Sequence, residues 1–241
     1  MPETTKPNPE SAAPASPEVP PPAKPAAGAA TSRSRTVTRN PERTSAAILD
    51  AASREFAENG LAGARVDVIA RRADTNKRML YHYYGDKEAL YLAVLEHAYG
   101  NIRFAERRLD LTHRDPEEGL RELSLFTWHY YLDHPEFLSL LNTENLNRAR
   151  YLKKSDKITA MHSNFISELE NVLQRGSASG AFKPNLDPVK VYITIAALGF
   201  FYLSNRHTLS TIFQRDLEDR TARDNWGEHI VSTVLASVRK T

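Results

Sequence analysis

The chain of 241 residues contains no cysteine, which excludes disulfides, thiolate nucleophiles and cysteine-ligated zinc together. No apolar run approaches the roughly 20 residues that a membrane-spanning helix requires. The Met-Pro-Glu start has no basic segment followed by an apolar one, so no secretory signal is expected. Gly-rich phosphate loops, His-Glu-x-x-His and Gly-x-Ser-x-Gly are missing too. The eight histidines (His82, His97, His113, His129, His134, His162, His207 and His229) never pair with acids at ligand spacing. No cofactor, no metal and no catalytic residue is therefore expected, and a cytoplasmic, non-enzymatic protein without redox chemistry is the simplest reading. A large charge of one sign is also absent: 32 Lys+Arg against 30 Asp+Glu leaves +2, too little to imply a nucleic-acid partner unless the cations are clustered.

They are clustered. Arg33, Arg35, Arg39 and Arg43 stand ahead of the first helical pattern with only Glu42 opposing them, and Arg65, Arg71, Arg72, Lys77, Arg78 and Lys87 follow within the next segment. A charge run alone is equally well a solvated face; here it coincides with a motif. Residues 66–91, from Val66-Asp-Val-Ile-Ala-Arg-Arg through Tyr81-His-Tyr-Tyr-Gly-Asp-Lys-Glu-Ala-Leu-Tyr91, read as two short helices joined by a tight turn. That arrangement presents a helix to the DNA major groove.

Nine of the fourteen prolines lie in residues 1–30, with Val19 almost the only larger apolar side chain. Such a segment cannot bury enough surface to offset about 1–2 kcal/mol of backbone entropy per residue, so residues 1–40 are expected to be a disordered tail, basic at its end. From Pro41 onward apolar residues recur at three and four, never convincingly at two, and an all-α fold is expected. Ile48, Ala52, Phe56 and Leu61 line the inner side of a first helix that Asn59-Gly60 should stop. A long helix is expected from Lys87 to about Leu109. Another is opened by Asp115-Pro116-Glu117 and ends near His134-Pro135. Further helices are expected at about 137–148, 155–176, 187–206 and 224–239, with 208–223 unassigned. The domain division is 41–90 for a three-helix DNA-binding head and 91–241 for a helical ligand-binding and dimerisation body, joined through the long helix.

Ile48-Leu-Asp-Ala-Ala, Phe56-Ala-Glu-Asn-Gly, Ile69-Ala-Arg-Arg-Ala and Tyr81-His-Tyr-Tyr-Gly-Asp-Lys-Glu-Ala-Leu resemble the TetR family of one-component bacterial regulators, from about Ile48 to Leu95. Gly63-Ala-Arg65, Lys87-Glu-Ala-Leu-Tyr91-Leu-Ala-Val-Leu, Gly180-Ala-Phe-Lys-Pro184 and Asp187-Pro188 look similar to the branch containing regulators of pyrimidine utilisation and nicotinate catabolism. The resemblance implies a repressor of a degradation operon, released by a small, heteroaromatic effector. It also implies a two-fold homodimer on a palindromic double-stranded operator with half-sites about 34–36 Å apart or a multiple of that. Tyr81, Tyr83 and Lys87 match family positions that contact phosphates.

The residues support the same roles. Lys77 and Arg78 can donate to guanine O6 and N7, Asn76 can pair with an adenine edge, and Met79 can touch a thymine methyl. His82 shares that helix, while Arg43 and Arg65 are placed for phosphate. Leu80 and Tyr84, four apart, should face inward against Ile69 and Phe56. Three departures from the family matter locally. Its usual Ala-Gly-Val-Ser turn is here Ala73-Asp74-Thr75-Asn76, which asks Asp74 to adopt a left-handed conformation. Arg65 replaces a capping threonine, and Tyr84 replaces a phenylalanine, so the Tyr84 hydroxyl needs a partner.

For the body, the candidate effector contacts are Trp128, His129, Asn142, Asn145, Arg148, His162, Phe165 and Tyr202, centred on the polar run Leu141–Arg148. Ordinary core packing or solvation competes with that reading at every one of them. Dimer candidates are Val191, Ile195, Leu198, Phe201 and Tyr202 with Ile230, Val234, Leu235 and Val238. Rival readings are an activator of the same build and a helical adaptor without specific DNA binding. Against the adaptor, Lys77, Arg78 and His82 keep the recognition helix basic and polar.

Overall fold

The computed structural model describes residues 41–240. The tail expected at residues 1–40, with Arg33, Arg35 and Arg39, lies outside the described residues. Among the described residues the fold is all-α, built from α1 (Pro41–Gly63), α2 (Val66–Arg72), α3 (Lys77–Tyr84), α4 (Lys87–Glu106), α5 (Pro116–Asp133), α6 (Pro135–Leu146), α7 (Asp156–Ala178), α8 (Pro188–Phe213) and α9 (Arg220–Val238). The one β-type feature among them is an isolated antiparallel bridge between Phe182 and Arg239.

Local chemistry starts most of the helices. Asn76, Asp86, Asp115, Ser155, Asp187 and Asp219 each accept a backbone N–H from the first turn of the helix that follows them. At Asp115 and Asp187 a proline occupies the next position, where its missing N–H costs nothing. The stop at Gly60 is present as a break inside α1. Gly60 takes φ 63°, a conformation glycine adopts without steric cost, and the chain then makes one more turn to Gly63.

Several boundaries differ from the expected ones, among them the start of α9, at Arg220 instead of about 224. α4 ends at Glu106 and tightens into a 3-10 turn over Arg107–Leu109. α6 begins two residues earlier than periodicity placed it, because Pro135 serves as its first residue. α8 continues through the unassigned stretch to Phe213, stopping where Gln214 takes a left-handed conformation.

Two hydrophobic clusters organise the packing. The head cluster joins Ile48, Ala52 and Phe56 of α1 to Ile69, Leu80, Leu90, Tyr91 and Leu95, and also takes in Leu140, Tyr151 and Ile158 from the body. The body cluster is built on α5, which packs against α7, α8 and α9. Ala98 and Tyr99 of α4 touch both, so the expected division at 90/91 is bridged by a continuous helix and by α1 against α6. Gly227 lets α9 approach the Trp128 ring: a methyl there would sit 3.0 Å from Cδ1 and 3.2 Å from Nε1.

Most of the expected dimer candidates are interior to the subunit. Val191, Ile195, Tyr202, Ile230, Val234, Leu235 and Val238 are buried in the body cluster, and Leu198 is half-buried. Phe201 alone of that set is exposed, at 60%, and it lies on a different stripe of α8 with Val189, Ile193 (56%) and Ala197. The expectation failed because α8 is apolar on both sides, and periodicity does not say which side the subunit keeps for itself.

Candidate DNA-reading head and buried charge cluster

The helix-turn-helix is held by backbone and carboxylate contacts. Asp74 takes φ 46°, the left-handed turn conformation its short polar side chain tolerates, and Thr75 N–H closes the turn onto Ala70 O at 2.9 Å. Arg65 cannot cap α2 as a threonine would. Instead the buried Glu55 of α1 accepts the Arg65 backbone N–H at 3.0 Å, with Arg72 Nη1 3.4 Å away to balance its charge. Tyr84 donates its hydroxyl to Ser45 O at 3.0 Å and lies 2.9 Å from Ser45 Oγ, so the polar atom the sequence adds has partners on α1.

The outer face of α3 carries Lys77, Arg78, Tyr81 and His82, all exposed, while Leu80 is fully buried. Arg43 is exposed at the start of α1. Asn76 departs from the expectation of a base reader: its Oδ1 accepts the Met79 N–H at 3.0 Å, which commits the amide oxygen to capping. Met79 and Tyr83 are half-buried, and the Tyr83 ring lies against His82 (5.5 Å) and Tyr84 (6.5 Å). Lys87 is half-buried with Nζ 3.4 Å from Ala62 O, and the Arg65 guanidinium is paired with Asp67 at 3.1 Å on the surface. That exposed pair is weak and leaves Arg65 free to exchange Asp67 for another anion.

In the body the structure does not bring the eight candidate effector contacts together. Asn142, Asn145, Arg148 and His129 are exposed. The polar run at the end of α6 has another cause. Its inward residue is Glu144, which accepts the Tyr151 and Leu152 N–H groups at 3.3 and 3.0 Å and so folds the loop that leaves the helix with Arg148 and Ala149 in left-handed conformations. Trp128 and Tyr202 are buried and pack edge to face at 5.5 Å between α5, α8 and α9. His162 lies against Tyr99, and Phe165 meets a different partner.

That partner is Arg103, near the end of α4, 4% exposed, paired with Glu106, 3% exposed, at 3.0 Å. The Arg103 guanidinium lies 4.2 Å from the Phe165 ring centre and 5.4 Å from that of Tyr192, and its Nη2 donates to Tyr192 Oη at 3.2 Å. The ion pair is close but poorly aligned: Arg103 Nε and Nη1 and both Glu106 carboxylate oxygens are buried without a hydrogen-bond partner. Burial pushes the Glu106 carboxyl up to about 8; Arg103 pulls it down less, and Glu168 adds to the rise. Tyr99 and Tyr130 are pushed up to about 12 by the same burial, and Tyr131 is raised further. Burial, with Arg103 nearby, lowers His162, whose ring meets Tyr99 at 5.1 Å. Two clefts flank this cluster. Tyr130 and Phe137 face one of about 390 Å³ among α1, α4, α5 and α6, and Tyr99 and His162 face one of about 440 Å³ beside α7.

The sequence reading missed Arg103 and Glu106 because charged residues default to a solvated face. The available signal was their phase: Tyr91, Leu95, Tyr99, Ile102 and Glu106 recur at three and four along the buried side of α4, with Arg103 beside them.

Residues 48–94 match the family described as bacterial regulatory proteins, tetR family, and residues 116–234 match the tetracyclin repressor-like C-terminal domain. Over 199 residues, 83% of this chain and 94% of the other, the sequence is 40% identical to the HTH-type transcriptional repressor NicS of Pseudomonas putida. The HTH-type transcriptional regulator RutR of Escherichia coli O157:H7 is 26% identical over 80% of this chain and 89% of its own length. A TetR family regulator from Marinobacter aquaeolei superposes with a TM-score of 0.63 at 24% identity over 83% of this chain and 97% of that one. Among the described residues no helix is long and apolar enough to cross a membrane. Two family domains in register, a full-length relative and the matching fold together place this chain in the TetR family, as a DNA-binding transcriptional repressor and not an enzyme.

Proposed function

We propose that the protein is a homodimeric repressor of a catabolic operon, which it leaves when a small molecule occupies the body. The observation that carries this reading is the two-sided character of α3. Leu80 is fully buried while Lys77, Arg78, Tyr81 and His82 are exposed, so one helix is anchored to the head and offers donors to a groove. Lys77 and Arg78 read base edges. Tyr81, Tyr83, Lys87, Arg65 and Arg43 hold phosphates, and Asn76 sets the start of the recognition helix. Only Gly85 and Asp86 separate α3 from α4, so a shift of α4 in the body moves the reading helix. The exposed stripe Val189, Ile193 and Phe201 on α8 is the dimer surface, which positions two heads on a palindrome.

The test is a mobility shift on the DNA flanking the gene, across a salt series, with Lys77→Ala and Tyr81→Ala. Each lost cation that neutralises a phosphate reduces the salt slope by about 0.9 per head, whereas loss of a base-edge or tyrosine contact lowers affinity with less change in slope. Specific, salt-dependent binding to a palindrome that both substitutions weaken supports the reading. Binding no tighter than to random DNA and indifferent to both substitutions refutes it.

A further inference from the structure

We infer that Arg103 is the anion receptor of the effector site, and that the effector is a planar aromatic monocarboxylate held among Tyr99, Tyr131, Phe165 and Tyr192. This deepens the proposed function and rests on its effector-release step.

The interior of this protein holds one arginine it does not fully use. A guanidinium 4% exposed is costly to bury unless its donors are met, yet Nε and Nη1 have no aligned acceptor, and Nη2 has only the Tyr192 hydroxyl. Glu106 stands 3.0 Å from Nη1 without offering either oxygen in hydrogen-bonding geometry. Each such group left unmet in a dry interior loses the water it would otherwise bond and gains nothing in exchange. A ligand carboxylate at the free edge of Arg103 would satisfy those donors with the planar match that guanidinium and carboxylate share.

The surroundings define the rest of the molecule. The guanidinium carbon stands over the Phe165 ring at 4.2 Å from its centre, and Tyr192 borders it at 5.4 Å. Tyr99, Tyr131 and Phe137 add rings that pack on one another at 5.4–6.0 Å. Walls of this kind favour a flat, apolar ring in the same plane as its carboxylate. The buried Arg103 guanidinium, with two donors lacking an aligned acceptor, is matched by a single carboxylate. Tyr99, one of these rings, also lines a cleft of about 440 Å³ beside α7, and Phe137 lines another of about 390 Å³. The contacts also reach the moving part. Arg103 and Glu106 sit in the last turns of α4, and Tyr192 is on α8 beside the exposed Ile193, so a ligand here bridges the helix that carries the head to the proposed dimer helix.

The experiment is calorimetric and thermal-shift titration of the full chain with benzoate, nicotinate, 2-furoate and indole-3-carboxylate at up to millimolar concentration. Benzamide, nicotinamide, acetate and phthalate are the controls, and operator release is followed in parallel. At least one aromatic monocarboxylate should bind more tightly than its amide by roughly 10- to 100-fold, the worth of a charge-assisted hydrogen bond. Arg103→Met should lose that preference while still binding operator. Arg103→Met/Glu106→Gln, which removes the guanidinium and the carboxyl that faces it, guards against misfolding of the single variant. Amides binding as tightly as the acids, an acid response surviving in both variants, or no response to the whole panel would overturn the assignment. Uracil releasing the operator when the acids do not would overturn it while leaving the effector-release reading intact. Acid binding without any specific operator would uphold the Arg103 site while refuting that reading.

Discussion

The α8 stripe makes a quantitative prediction about assembly. Phe201 is 60% exposed in the subunit and Ile193 56%, although full burial of such a side chain is worth about 1.5–3 kcal/mol. If the stripe is the two-fold interface, covering the exposed part of Phe201 contributes about 1–1.7 kcal/mol per copy, and the symmetry counts it twice. Phe201→Ser should therefore weaken the dimer by about 2–3.5 kcal/mol, roughly 30- to 300-fold in its dissociation constant. Circular dichroism and the unfolding midpoint measured on the monomer should stay close to wild type, because the side chain makes little of the subunit core. Sedimentation equilibrium over a concentration series reads the constant directly. Leu146→Ser, at an 87% exposed apolar position at the end of α6, is the control that should change nothing. Operator affinity should fall with dimer population, since one head covers only a half-site. An unchanged dissociation constant for Phe201→Ser and for Ile193→Ser would refute the assignment of this face.

Asn76→Ala removes the cap of α3 and should cost about 1 kcal/mol, lowering the unfolding midpoint by about 2–4 °C and operator affinity with it. Asn76→Asp should keep the midpoint but still lose affinity, because it adds a carboxylate to the DNA-facing side. Gly227→Ala places a methyl 3.0 Å from the Trp128 ring and should cost about 1–3 kcal/mol in denaturant melts. Glu106 ties stability to pH. Its folded pKa, about 8, lies above the ordinary 4.5, so the folded state holds a proton that the unfolded state releases, and stability is greatest below the unfolded value and declines as pH rises through 8. Glu106→Gln should flatten that decline, which is at most roughly 1.4 kcal/mol per pH unit. A wild-type midpoint that does not fall more steeply than the variant's between pH 5 and 8 would contradict it.

Sequence alone was most informative where a residue's own chemistry decides the backbone. Asp115-Pro116 and Asp187-Pro188 open helices because a carboxylate and a fixed φ act within three residues, and Asp74 enters the left-handed turn for an equally local reason. The head was legible because α2 and α3 are short and each buries one side. Asn76 was legible as important but not as a cap: at the first position of a recognition helix the same amide suits a base edge and a backbone N–H, and only the fold shows which one takes the oxygen.

The body obeys a different rule, because its two informative features each contradict the pattern that periodicity assumes. α8 is apolar on both sides, with Val191, Ile195 and Leu203 inward and Val189, Ile193 and Phe201 outward. A helix of that kind is covered twice, once by its own subunit and, as proposed, once by another, and a one-dimensional pattern cannot rank the two covers. α4 does the reverse and sets Arg103 and Glu106 on its buried side. A charge at an apolar phase weakens a helix as a core element, and here the loss is not recovered by a well-made ion pair, since four of the pair's polar atoms lack hydrogen-bond partners. A site that costs stability in the ligand-free chain binds its missing partner more tightly for that reason. The buried pair and the two-sided helix are thus linked through Tyr192, and a ligand that repairs one is in contact with the other.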